Sequence, residues 1–223
     1  MNFILHTLFP QLDAISVLSV LVFLLVKRPK REGAFYWFCA FIYSMSAFYI
    51  VAVSYELFCK HFKLVENNYL MYHIACVFYV ITLYKFFSIL IQSKYKLAID
   101  IFFLIPFIIL SIFNFIYLKT TLTIYALTSV WVSIKSLTYY TQKFTQPANE
   151  DILKNRIFWI VSGLFFYFAS AFFIFISWDL FTNGYIKGSI FFYLPIWTIH
   201  NIILAISCVF FIKSISLKGE VTT

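Results

Sequence analysis

Charge is what this sequence has least of. Only 12% of its 223 residues are Asp, Glu, Lys or Arg, while 63% are hydrophobic and 23% aromatic. A water-soluble domain of this length must turn most of its outer shell to water, and so few charges cannot cover it. The mean hydropathy is +0.90. Strand-like alternation in ten-residue segments is also missing, which excludes a membrane β-barrel. The four cysteines, Cys39, Cys59, Cys76 and Cys208, form no CxxC pair and have no metal-ligand spacing. Cys59 and Cys76 fall on one side of the membrane but at different depths, so no disulfide is expected. No cleavable signal is evident, because the first apolar run has no basic n-region and no small-residue cleavage site. There is no HExxH, no GxSxG and no serine–histidine–aspartate order worth naming, so nothing points to an enzyme and no cofactor is implied.

The apolar runs are each about 20 residues long, the length that crosses ~30 Å of hydrocarbon as a helix. The expected fold class is therefore all-α, an integral membrane bundle of seven transmembrane helices in a single domain. The spacing predicts helices over about 8–26, 34–54, 69–92, 97–117, 121–142, 150–178 and 190–213. The net charge of +8 sits in short connections, which is the topological use of Lys and Arg and excludes nucleic acid as a partner. Eleven Lys and Arg fall at one end of the spans and four at the other. That asymmetry puts the amino terminus outside and the carboxyl terminus in the cytoplasm.

The last run, IFFYLPIWTIHNIILAISCVFFIK, divides at helical spacing into two faces. Ile196, Ile199, Ile203, Ile206 and Phe210 suit lipid. Trp197, His200, Asn201, Ala205, Ser207 and Cys208 suit other helices. His200 and Asn201 lie at mid-membrane depth and need partners. Thr128, Ser129, Tyr167 and Ser170 on helices 5 and 6 are the candidates. Ligand-binding candidates are thus His200, Asn201, Trp197, Tyr167, Ser170 and Thr128. An interhelical hydrogen-bond clamp is the plainer reading of the same residues.

Helix 4 carries Asp100, Leu104, Phe107, Ser111 and Asn114 on one stripe, with a kink expected at Pro106. Helix 5 is the most polar span and is expected to be surrounded by other helices. Lys85, Asp100 and Lys135 form a candidate charge cluster. The tight SKYK connection makes helices 3 and 4 neighbours, so Asp100 is expected to pair with Lys85. The bland alternative is that both lysines snorkel to the headgroups. No metal site is expected, because the histidines and acids of the outer side do not converge. Pro147, Asn149, Glu150 and Asp151 supply helix-start chemistry for helix 6, and Asn183-Gly184 signals a turn before helix 7.

RIFWIVSGLFFYFASAFF together with WTIHNIILAIS resembles stretches of small uncharacterised seven-helix bacterial membrane proteins, some found near sensor kinases. The resemblance covers helices 6 and 7 and implies a sensory or accessory role in the bacterial inner membrane. Other seven-helix families fit less well. The length and a possible three-one-three layout are similar to SWEET sugar transporters, but prolines 10, 29, 106, 147 and 195 do not repeat their pattern. The middle of helix 7 has no lysine for a retinal. The intramembrane acids of lysoplasmalogenase-type hydrolases and the histidines of alkaline-ceramidase-like ones are too few here. The expected function is a sensory or accessory subunit that binds a small ligand or lipid and signals through a membrane-associated kinase or other partner. A lipid-modifying enzyme and a small-solute transporter are the alternatives.

Overall fold

The computed structural model describes residues 12–62, 69–92, 96–117, 122–145, 151–182 and 193–217. They form seven α-helices: α1 Leu12–Lys27, α2 Gly33–Phe62, α3 Tyr69–Leu90, α4 Lys96–Tyr117, α5 Leu122–Thr145, α6 Arg156–Thr182 and α7 Tyr193–Ser216. A 3₁₀ turn at Ile152–Lys154 precedes α6. Five of the helices, α2, α3, α4, α6 and α7, are long and apolar enough to cross a membrane. The calls on Pro10, Pro147, Asn149, Glu150 and Asn183-Gly184 lie outside the described residues.

Packing orders the helices as a closed ring. α1 lies between α2 and α7, α6 lies between α7 and α5, and α3 joins α5 to α2. α4 packs outside this ring, against α5 and α3. It is the most apolar span and the least buried, and it exposes Ile101, Phe102, Ile105, Ile108 and Ile109 on its free side. A surface of that kind suits hydrocarbon and not water.

The two-faced reading of α7 holds in part, since of the expected lipid face Ile199 and Ile206 are exposed but Ile196, Ile203 and Phe210 are half-buried, Phe210 stacking on Trp159. His200, Asn201, Leu204, Ser207, Cys208 and Phe211 are buried, whereas Ile199, Ile202, Ile206 and Val209 are exposed. The α4 stripe holds as well, with Asp100, Phe103, Phe107 and Asn114 buried. α5, the most polar helix, is packed between α3, α4 and α6. Its hydroxyls are largely satisfied within the helix: those of Thr128, Ser129, Ser133, Ser136, Thr138 and Thr141 each donate to the carbonyl four residues back. This back-bonding hides donors that would otherwise face an apolar interior.

Two boundaries differ most from the sequence expectation. α2 continues through YELFCKHF to Phe62, where mixed charge pointed to a loop. Charge marks where a helix leaves the apolar layer, not where it ends. α6 starts at Arg156, and its cap is Asn155, whose Oδ1 accepts from Ile157 N and Phe158 N at 2.9 and 3.2 Å. Asp151 instead caps the 3₁₀ turn through Leu153 N. α6 also has no single inward face. It is buried against both α5 and α7, with Ile160, Val161, Leu164 and Tyr167 all buried and Phe166 and Phe173 exposed.

The α6–α7 contact depends on Gly163. A Cβ there would lie 2.6 Å from Phe211 Cε1 and 3.1 Å from Phe210 Cβ. Phe211 is only 2% exposed and packs on Phe38 with 5.2 Å between ring centroids, so it has little room to yield. Gly163→Ala is therefore expected to destabilise the bundle by about 1–2 kcal/mol through overpacking, read as a lower unfolding midpoint in detergent.

Candidate functional site

Two polar groups stand out inside this apolar bundle. The first surrounds His200. Its Nε2 lies 3.0 Å from the Tyr167 hydroxyl, and its Nδ1 lies 3.2 Å from Asn201 Oδ1. A carbonyl oxygen only accepts, so Nδ1 carries the proton and donates to Asn201. Nε2 is then the acceptor, and Tyr167 donates to it. In the neutral ring both nitrogens are therefore engaged. Trp197 stacks on the ring at 4.6 Å and 17°, and Phe175 lies 5.7 Å away on a tilt.

This group reaches across the ring. Tyr125 of α5 packs on Phe175 at 5.1 Å and donates to the Tyr72 carbonyl of α3 at 3.0 Å. Asp13 of α1 is buried, and its Oδ1 accepts from Ala14 N at 2.7 Å. Tyr49 of α2 lies beside the Asp13 carboxylate, within electrostatic range of Tyr167. Five helices of the ring therefore contribute a polar or aromatic side chain to the interior, and α3 contributes the Tyr72 carbonyl. Asp13, Tyr49 and Tyr125 are the members that the sequence reading did not name as candidates. The signal available was a run of tyrosines on the inward faces of four different helices.

Ser170 stands one turn beyond Tyr167 on α6 and is half-buried. Thr128 does not join the histidine. Its hydroxyl faces Cys76 Sγ at 3.8 Å in the α3–α5 contact. Ser129 likewise turns to its own helix, donating to Tyr125 O.

The second group is a charge pair beneath α4. Lys135 Nζ lies 2.6 Å from Asp100 Oδ1, and the two side chains are 1% and 5% exposed. Trp131 Nε1 donates to the same oxygen at 3.2 Å. Trp131 and Lys135 are four residues apart, so one face of α5 presents both donors to one carboxylate. The expected Asp100–Lys85 pair does not form. Lys85 is exposed on α3, facing outward with Ile81 and Ile89. Helix neighbourhood was read correctly, but the rotation of α3 about its axis turns Lys85 away. Snorkelling therefore suits Lys85 and not Lys135. Next to the pair, a shallow half-open dent of about 10 Å³, room for a single water, is lined by Val80, Phe103, Leu104, Phe107, Leu127, Thr128 and Trp131.

At the end of the bundle where α6 begins, Arg156 ties three segments together. Its guanidinium lies 3.9 Å over the Phe35 ring, and its nitrogens donate to Lys30 O at 3.5 Å and Leu217 O at 3.2 Å. The turn after α1, the start of α6 and the end of α7 meet there, among Lys27, Arg28, Lys30 and Arg31.

No group of three or more His, Cys, Asp or Glu that could hold a metal is found among the described residues. No family model matches the chain, and no curated protein or solved structure is significantly similar to it.

Proposed function

We propose that this chain is a seven-span sensory or accessory subunit of the bacterial inner membrane, with its amino terminus outside and its carboxyl terminus in the cytoplasm. It binds a small ligand or lipid within the helix ring and passes the signal to a membrane-associated kinase or other partner. The supporting observation is the buried group that α6 and α7 build from His200, Asn201 and Tyr167, with α5 packed onto it through Tyr125 and Phe175. A clamp between two helices needs one bonded pair. A group assembled from three helices suits recognition, because a ligand seated there touches all of them at once.

The route outward follows the same helices. A ligand that pulls on Tyr167 or His200 shifts α6 against α7. Both helices end at the Arg156 junction with the 27–31 turn. That basic end is the natural contact for a partner protein.

Reporters fused to the two ends test the topology, with opposite compartments expected. Gentle extraction of the native protein then tests the role. A small molecule or lipid and a partner chain should remain bound, and Arg156→Ala should release the partner while leaving the ligand. Recovery of the bare chain under several mild detergents would sink the sensory reading.

A further inference from the structure

Between α3 and α4, towards the end where α3 begins and α4 finishes, three buried polar atoms have no hydrogen-bond partner. They are His73 Nδ1, Ser111 Oγ and Asn114 Nδ2. His73 and Asn114 are each only 8% exposed. Both sit within a turn or so of their helix ends, and His73 packs against Phe115 with 6.4 Å between ring centroids. Leaving such groups unsatisfied in an apolar setting is costly, so three along one seam ask for an occupant.

Their chemistry says what kind. The Asn114 amide nitrogen only donates, and the Ser111 hydroxyl and one tautomer of His73 can donate as well. The matching group is an oxygen acceptor that brings no donor of its own. The seam opens towards lipid, since α4 lies outside the ring and its flank is apolar. Below the three atoms the lips of the seam are Val77, Leu110 and Leu104, all half-buried. The shallow dent at Leu104, Phe107 and Leu127 follows. From Asn114 to Leu104 is ten residues of helix, about 15 Å. One leaflet of hydrocarbon is half of ~30 Å, the same length.

We propose that the α3–α4 seam is a binding site for one diacyl phospholipid. Its ester carbonyl oxygens accept from Asn114 and Ser111, with His73 as the third donor. One acyl chain runs along the outer lips of the seam, over Val77, Leu110 and Leu104. The site is separate from the ring interior and does not depend on the reading of that interior. It also gives α4, the helix with the thinnest contact to the rest, a lipid as part of its seat.

The test compares two phospholipids of identical headgroup and chain length, one ester-linked and one ether-linked. The ether lacks only the carbonyl oxygens. Each is added to the purified full chain in mild detergent, and retained lipid is counted by native mass spectrometry. The ester lipid is expected to be retained about tenfold better, the effect of one to two hydrogen bonds. In Ser111→Ala/Asn114→Leu that preference should disappear, and His73→Phe should reduce it. Tyr167→Phe in the ring should leave it intact. Equal retention of the two lipids by the unaltered chain would overturn the proposal, as would an ester preference that survives the double substitution. The first comparison needs no variant, so a misfolded mutant does not spare the idea.

Discussion

Lys135→Met is expected to destabilise the protein by about 3–5 kcal/mol, the largest effect of any single exchange outside the apolar core. Methionine keeps the length and apolar stem of lysine, so packing changes little. What changes is that Asp100, 3% exposed, loses the ammonium 2.6 Å from its Oδ1 and retains only the Trp131 indole. An ion stranded in a medium of low polarity loses its hydration without compensation. Asp100→Leu should cost a similar amount for the mirrored reason. The double variant Asp100→Leu/Lys135→Met should recover most of the loss, because an apolar pair of similar volume carries no desolvation cost. Unfolding in detergent by heat or denaturant measures all three, and Trp131 reports locally through its fluorescence. Additive losses in the double variant would show that the pair is not coupled. Because α4 touches only α3 and α5 extensively, its release is the expected structural consequence. Cysteines placed at Phe103 and Leu104 should become accessible to a thiol reagent in the single variants and not in the double.

The partner of Asp100 illustrates where sequence ceases to inform. A short connection makes α3 and α4 neighbours, and loop length captures that. It does not capture the rotation that sets Lys85 outward on α3. Trp131 and Lys135, one turn apart on α5, were the available sign that two donors share a face. By contrast the burial of α7 and α4 was legible, because an apolar solvent leaves small and polar residues only one place to go, the inside. The length of α2 was not legible. Hydropathy falls at Tyr55 and Glu56, but backbone hydrogen bonding continues to Phe62. The cluster in the ring was half legible. His200 and Asn201 are conspicuous by depth in one run. Asp13, Tyr49 and Tyr125 come from other runs, and only the order of helices around the ring brings them together. Arg156 is another case, since its carbonyl partners Lys30 and Leu217 are contributed by backbone, which has no sequence signature.

His200→Ala is the second large effect expected, about 3 kcal/mol. The loss has two sources. The ring filled the space between Trp197 and Phe175, and its removal leaves a cavity. The Tyr167 hydroxyl and Asn201 Oδ1 each also lose their bond to the imidazole. Tyr167→Phe removes only the hydroxyl and should cost about 1 kcal/mol, in the range of interhelical bonds in membranes. Combined with His200→Ala it should add almost nothing, because the bond it breaks is already gone. Unfolding midpoints of the three variants give the coupling directly. The same variants separate recognition from clamping. If the cluster only holds α6 to α7, any bound small molecule should be lost in proportion to stability, with Tyr167→Phe nearly silent. If the cluster recognises a ligand, Tyr167→Phe should weaken its binding well beyond that small loss of stability, since the change removes the phenol oxygen and leaves His200 Nε2 without its donor.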